Sequence, residues 1–117
     1  MCKGAGMKHM NFAEVKAVDA GEGAKGVKVR WLITDEDGAR NFAMRVFDVE
    51  PDGYTPFHEH DWEHEMFVLK GGGRIKTEEK EERFERGEFF FIPPGFKHQF
   101  INDKKETLRF LCLIPYK

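Results

Sequence analysis

Turn signals recur roughly every ten residues along most of this chain and divide it into short segments. Asp35-Glu-Asp-Gly38, Glu50-Pro-Asp-Gly53 and Gly71-Gly-Gly73 separate runs that are rich in Val, Ile and Phe. Short runs of β-branched and aromatic residues at this spacing predict the strands of a sandwich or barrel. No long stretch has the 3.6-residue periodicity of a helix. The sequence therefore predicts an all-β fold, with room for one short N-terminal helix over 11–20.

Nine segments are predicted to form the strands of this fold. They are 27–33, 42–49, 57–60, 65–69, 74–77, 82–84, 89–92, 99–101 and 108–114. The segments 74–77 and 82–84 predict a hairpin with charged residues at its tip. In the last strand, alternate residues share a face, so one face should carry Leu108, Phe110, Cys112 and Ile114.

The length of 117 residues fits one domain over 1–117, with 1–12 loosely ordered. The net charge of −2 argues against general nucleic-acid binding, which needs a basic face. No apolar run reaches the length of a membrane helix, and the first residues lack a signal-peptide core. These features predict a cytoplasmic protein with no nucleic-acid or membrane partner. In that compartment Cys2 and Cys112 are expected to stay reduced.

Four of the five histidines lie between positions 58 and 98. His58 and His60 are two residues apart, so on a strand both imidazoles would share one face. His64 and His98 complete the set, and a barrel can bring distant strands together. A single histidine is more often a surface residue, but their joint placement predicts a site for one divalent metal ion. His9, in the loose terminus, is outside this prediction.

The run His60-Asp-Trp-Glu-His64 also matches H-x-x-E-H, the inverted zinc-protease signature. That chemistry needs both histidines one turn apart on a helix. Pro56 precedes the run, Gly71-Gly-Gly73 follows it, and strand-like residues surround it. These neighbours disfavour a helix, and with it the protease interpretation.

Two motifs resemble those of the cupin superfamily, and together they span residues 53–102. The first, G-x5-H-x-H-x3,4-E-x6-G, is matched from Gly53 to Gly71 or Gly72, although Gly53 is one residue too close to His58. The second, G-x5-P-x-G-x2-H-x3-N, is matched at every fixed position, by Gly87, Pro93, Gly95, His98 and Asn102. The resemblance implies a cupin double-stranded β-helix, which is a jelly-roll barrel.

A closer likeness is to small bacterial cupins in which four histidines bind manganese, and it extends to the ending Phe110-Leu-Cys-Leu-Ile-Pro115. It implies that His58, His60, His64 and His98 are the ligands. In the wider superfamily Glu65 would be the fourth ligand. Adjacent strand residues point to opposite faces, so only one of His64 and Glu65 can ligate from a regular strand. The likeness favours His64 and leaves Glu65 beside the ligands or on the barrel surface.

The resemblance favours Mn²⁺, although nitrogen ligands also accept Fe²⁺, Ni²⁺, Cu²⁺ and Zn²⁺. Four neutral imidazoles leave the ionic charge uncancelled, which favours an anionic or chelating small molecule as the ligand or substrate. Trp62, Phe110 and Cys112 are candidates for the pocket wall. Exposed edge strands and the family together predict a homodimer.

Three functional hypotheses follow from such a site. The leading one is a small-molecule oxidoreductase, similar to a dioxygenase. The second is a non-redox isomerase or decarboxylase, in which Glu59, Glu63 or Glu65 would supply the acid or base. The third is a non-catalytic module that binds a small ligand. A fold of this kind can host all three, so the site must decide between them.

Overall fold

A computed structural model describes residues 6–116 of the chain, so Cys2 lies outside the described residues. These residues form nine strands joined in one curled antiparallel sheet. The strands are β1 (Val18–Asp19), β2 (Lys25–Ile33), β3 (Phe42–Tyr54), β4 (His64–Lys70), β5 (Gly72–Thr77), β6 (Glu81–Glu85), β7 (Phe89–Ile92), β8 (His98–Ile101) and β9 (Leu108–Pro115). The predicted all-β jelly-roll fold is confirmed.

The long strand β3 connects the two halves of the barrel. One of its edges pairs with β2, and the other pairs with β9 from Phe42 to Val49 and with β8 at Tyr54. The turn predicted over 50–53 is wrong, because the strand continues through this segment. Asp52 takes a positive φ of 68°, and the pairing with β2 shifts register here. The turn-forming residues therefore bend a continuous strand, as in a bulge.

The interior of the barrel is filled from alternating positions on its strands. On β9, Leu108, Phe110 and Cys112 are 0%, 3% and 2% exposed, which confirms the alternation predicted for this strand. Three more aromatic rings, those of Phe84, Phe90 and Phe100, pack together with centroids 5.4–5.9 Å apart. Phe100 also contacts Phe110 at 5.4 Å. These rings belong to the apolar core of the barrel, and Phe100 and Phe110 extend it to the histidines.

The short helix considered for residues 11–20 is absent from the structure. A single 3₁₀ turn, Phe12–Glu14, is capped by Asn11, and Val15 is already extended. The β-branched Val15 and Val18 favour extended backbone, which explains why the turn does not continue. Lys8 and Phe12 contact the barrel: the Nζ atom of Lys8 donates to the carbonyl of Leu32, and the Phe12 ring lies beneath the Arg109 guanidinium. In the described residues no helix is long and apolar enough to cross a membrane.

Asn102, the last residue of the second motif, is fully buried and connects the β8–β9 loop to β3. Its side-chain amide donates to the carbonyls of Val49 and Glu106, both at 2.9 Å. Its backbone N–H donates to the carbonyl of Gly53, the first residue of the other motif. A Cβ atom at Gly53 would come within 2.5 Å of the Lys25 carbonyl oxygen, so this close approach requires glycine. The two motifs therefore meet through their end residues.

Candidate metal centre

Three separate elements bring the four histidines to the open end of the barrel. His64 begins β4, His98 begins β8, and His58 and His60 lie in the segment between β3 and β4. The strand predicted over 57–60 is wrong, since His58 makes only an isolated bridge with His98. Pro56, just before it, has no N–H to extend a ladder. The protease interpretation also fails, because 60–64 contains no helix.

The four imidazole rings form one cluster. The centroid of the His60 ring lies 4.3 Å from that of His58 and 4.5 Å from that of His64. The His98 ring lies between 5.7 and 6.1 Å from each of the other three. The structure thus brings together all four residues that the sequence singled out.

Hydrogen bonds orient two of the rings from outside the cluster. The Nδ1 atom of His98 donates to the carbonyl oxygen of Phe96 at 2.7 Å, so Nε2 of the neutral ring carries the lone pair. The Nδ1 atom of His64 lies 3.4 Å from the Sγ atom of Cys112. The Nε2 atom of His64 is buried and has no partner within the described residues. An unsatisfied buried nitrogen of this kind is a suitable metal ligand.

Burial lowers the pKa of all four imidazoles, because it disfavours the charged form. The pKa of His60 falls to about 4, first through burial and then through its neighbours His58 and His98. The pKa of His64 falls to about 3, first through burial and then through His60 and Arg45. The rings are therefore neutral at pH 7, which is the form that binds a metal ion.

The side chains as they stand do not have ligating geometry. Within residues 6–116, no group of three or more His, Cys, Asp and Glu side chains is arranged so that it could hold a metal ion. The His60 ring is stacked on Trp62, with centroids 4.8 Å apart and planes inclined by 14°. Coordination by all four imidazoles thus requires their side chains to adjust.

A cavity of about 250 Å³ opens beside the cluster and is lined by all four histidines. Phe110 and Cys112, for which the sequence left a place in the pocket wall or in the core open, lie in this wall and also belong to the packed core. Trp62 is 42% exposed and contacts the cluster through His60. The remaining wall is largely apolar and includes Met66 and Phe100. The cavity thus combines a polar cluster with apolar walls.

The three acidic residues proposed from the sequence as an acid or base lie outside this cavity. Glu65 is exposed and lines a groove on the outer face of the sheet, with Phe67 and Phe91. Of the two positions considered for it, the structure places Glu65 on the barrel surface. Glu59 and Glu63 are also exposed and do not line the cavity. None of the three is held where an acid or base would act on a bound molecule.

Sequence reasoning missed two charged residues that line the cavity, Glu22 and Arg45. Glu22 lies in the loop between β1 and β2, where the sequence shows only turn residues. The position of Arg45 could have been noticed in the sequence, because on a strand Arg45 shares one face with Ala43, Phe47 and Val49. A charged residue on the apolar face of a strand points to a function inside the barrel.

The barrel and its histidine cluster define a cupin domain. Residues 45–114 match the Cupin domain family, which is more than half of the chain, and the chain therefore belongs to this family. Membership of this family supports two classes of function, a small enzyme of the metal-binding type or a ligand-binding module.

Known proteins resemble the chain to different extents. The polyketide cyclase RemF from Streptomyces resistomycificus superposes with a TM-score of 0.89 at 38% identity, over 95% of this chain and 80% of that one. A predicted oxalate decarboxylase from Thermotoga maritima superposes with a TM-score of 0.80 over 92% of this chain and 98% of that one. At 22% identity, that second likeness shows the fold alone.

Among curated proteins, 1-methylthio-D-xylulose 5-phosphate methylsulfurylase from Rhodospirillum rubrum is 30% identical over 71 residues. The matched segment covers 61% of this chain and 46% of that protein. The chain thus matches less than half the length of this curated relative.

Proposed function

We propose that the chain is a metal-dependent enzyme, in which His58, His60, His64 and His98 hold one divalent ion beside the small-molecule cavity. Mn²⁺ is the favoured ion, and Fe²⁺, Ni²⁺, Cu²⁺ and Zn²⁺ are accepted by the same donors. The observation that carries the proposal is the cluster of four neutral imidazoles, with the buried, unpartnered Nε2 of His64, in the wall of a cavity.

The donor set fits a divalent ion of the first transition series. Imidazole nitrogens are ligands for all of these ions, and a neutral imidazole needs no deprotonation. Ligation requires adjustment of the side chains, which the half-buried positions of His58 and His60 allow. The hydrogen bond from His98 to Phe96 fixes that ring while the others adjust.

A bound divalent ion would supply Lewis acidity, which polarises a carbonyl oxygen and lowers the pKa of a coordinated water. The chain's own residues would do the rest. The apolar walls around Met66, Phe100 and Phe110 exclude water from the substrate. The neutral histidines leave the charge of the ion uncancelled, so the site favours a substrate that carries or develops negative charge.

Non-redox chemistry on a small carbonyl compound is the first candidate for the reaction. The specific support is the likeness to a polyketide cyclase at 38% identity over 95% of the chain. Ring closure and related carbonyl reactions need polarisation of a carbonyl and stabilisation of an enolate. Both are tasks for a positively charged centre in a water-poor cavity.

Oxidoreductase chemistry of the dioxygenase type is the second candidate. A nitrogen-rich donor set that accepts manganese or iron, beside apolar walls, favours it. Both candidates use the same residues, and they differ in their need for oxygen and for a redox-active ion.

One experiment separates these candidates. The chain is loaded with Mn²⁺ or with redox-inert Zn²⁺ and offered a panel of β-dicarbonyl compounds and β-keto acids, under air and under nitrogen. Turnover with both ions in both atmospheres supports the non-redox reaction. Turnover with Mn²⁺ under air alone supports the dioxygenase. Absence of turnover in every condition contradicts the enzyme and leaves the ligand-binding module.

A further inference from the structure

Arg45 places a positive charge in the wall of the cavity that holds the histidines. It lies on β3 directly opposite Cys112 on β9, and both residues line the cavity. Its guanidinium lies 5.1 Å from the ring of Trp31 and 4.7 Å from that of Phe47. These two aromatic rings hold the planar group in a fixed position.

The protein leaves most of this guanidinium without hydrogen-bond partners. The Nη2 atom donates to the Sγ atom of Cys112 at 3.1 Å, and thiol sulfur is a weak acceptor. The Nε atom is buried and has no hydrogen-bond partner among residues 6–116. No Asp or Glu within residues 6–116 forms a salt bridge with Arg45, whereas Arg30, Arg74, Arg83 and Arg109 each do. Arg45 is therefore the cavity's unpaired cation.

An unpaired charge in a partly buried position is costly unless something compensates for it. The histidines cannot do so, because neutral rings offer no negative charge. Glu22 lines the same cavity but is exposed on its loop and makes no contact with Arg45 that qualifies as an ion pair. A negatively charged ligand in the cavity would compensate the charge of Arg45, and within the part of the chain that the structure describes the Nη1 group makes no hydrogen bond that would compete.

We propose that Arg45 is a specificity residue that binds the carboxylate or enolate oxygen of a small, planar and mostly apolar ligand. The inference rests on the proposed function in one respect, since the same ligand would present its reacting carbonyl to the metal ion. A single Arg suits a singly charged group, and the cavity wall contains no Lys and no second Arg to match a phosphate. The walls of Met66, Phe47, Phe100 and Phe110 suit a flat apolar body.

The probe for this inference is benzoate, with benzamide as its neutral counterpart, and the readout is calorimetric binding. Metal-free, chelator-treated protein is used first, so that the result does not depend on the metal ion. We expect benzoate to bind, and Arg45→Met to weaken it roughly tenfold to a hundredfold, the range for a lost charge-assisted hydrogen bond. Arg45→Lys should retain part of the affinity, and benzamide should not distinguish the variants.

Arg83→Met is the matched control, because Arg83 is an exposed arginine that pairs with Asp103 away from the cavity. It should bind benzoate as the unmodified chain does. Arg45→Gln provides the same comparison if the methionine variant does not fold. Equal benzoate affinity in the Arg45 variants and the unmodified chain would overturn the inference, as would the lack of benzoate binding to the unmodified chain.

The same titration separates this inference from the proposed function. If the chain binds no metal ion but its benzoate affinity depends on Arg45, the inference stands and the metal enzyme fails. If the chain binds one metal ion but its affinity for benzoate does not depend on Arg45, the inference alone fails.

Discussion

His58 and His98, forty positions apart, exchange both of their backbone hydrogen bonds. The N–H of His58 donates to the carbonyl of His98 at 3.1 Å, and the reverse bond is 3.0 Å. This isolated bridge ties the two cupin motifs together at the cavity. Because the bonds are made by the backbone, replacing either imidazole leaves them in place. Alanine variants at these positions therefore test the imidazoles rather than the fold.

Asn102→Ala is expected to destabilise the protein by about 2–4 kcal/mol. The substitution removes the two hydrogen bonds that the amide donates to the carbonyls of Val49 and Glu106, and the one that its Oδ1 atom accepts from the N–H of Lys104. Urea unfolding, followed by intrinsic fluorescence, measures the change in the free energy of unfolding.

Asn41→Ala is the matched control for this variant, because Asn41 is exposed. Its expected effect is within about 0.5 kcal/mol. Similar losses in both variants would contradict the role given to Asn102.

Much of the fold could be predicted from the sequence, because short apolar or alternating runs that are bounded by turn residues indicate strands. This holds for the strands now called β2, β4, β7 and β9. The segment 50–53 could not be predicted, since the same Pro-Asp-Gly residues suit a turn or a bulge. The pairing partner decides between them, and here β2 and β8 keep β3 extended to Tyr54.

The site could be predicted only in part. The motif spacing identified the four histidines, but it placed His58 and His60 on a strand, whereas the structure gives His58 a single bridge. The spacing along β3 puts Arg45 on the same face as Ala43, Phe47 and Val49, but only the pairing of β3 with β9 shows that this face lines the cavity. Glu22 lines the cavity from the loop between β1 and β2, and loop residues have no periodic pattern from which their position could be predicted.

The metal-free protein is expected to lose stability as the pH falls from about 6.5 towards 4. In the folded chain burial lowers the pKa of His60 to about 4 and that of His64 to about 3, from the ordinary histidine value of 6.5. Over this range the unfolded chain binds protons that the folded chain does not, so the stability present above pH 6.5 declines. Urea midpoints of the chelator-treated chain across this range measure the effect.

His64→Gln should make this decline shallower, because one of the shifted groups is gone. The variant is compared with the unmodified chain at each pH. Stability that stays constant between pH 6.5 and 4.5 would show that the histidines are not neutral and buried in the folded chain.

The homodimer remains a prediction. The outer face of β4, β7 and β9 is the surface through which we expect two copies of the chain to associate. Phe89 and Phe91 are 75% and 58% exposed there, and they adjoin Phe67, Leu111 and Leu113. In contrast, Phe12 covers the outer face near Arg30 and Arg109. An apolar face beside the free edge of β7 suits a second copy of the chain.

Phe89→Glu together with Phe91→Lys is expected to convert the dimer to a monomer, since both side chains would face the partner. Light scattering at micromolar concentration measures the mass. Lys80→Glu, on the exposed tip between β5 and β6, is the control and should leave the dimer intact. A monomer mass for the unmodified chain would contradict the prediction.

The most direct test of the account is the stoichiometry of Mn²⁺ binding, measured by elemental analysis after reconstitution and desalting. We expect about one ion per chain, loss of binding in His64→Ala and His98→Ala, and no change in His9→Ala. Far-UV circular dichroism confirms that each variant is folded. Binding that persists in both His64→Ala and His98→Ala, or an unmodified chain that binds no divalent ion, would contradict a metal centre at the four histidines.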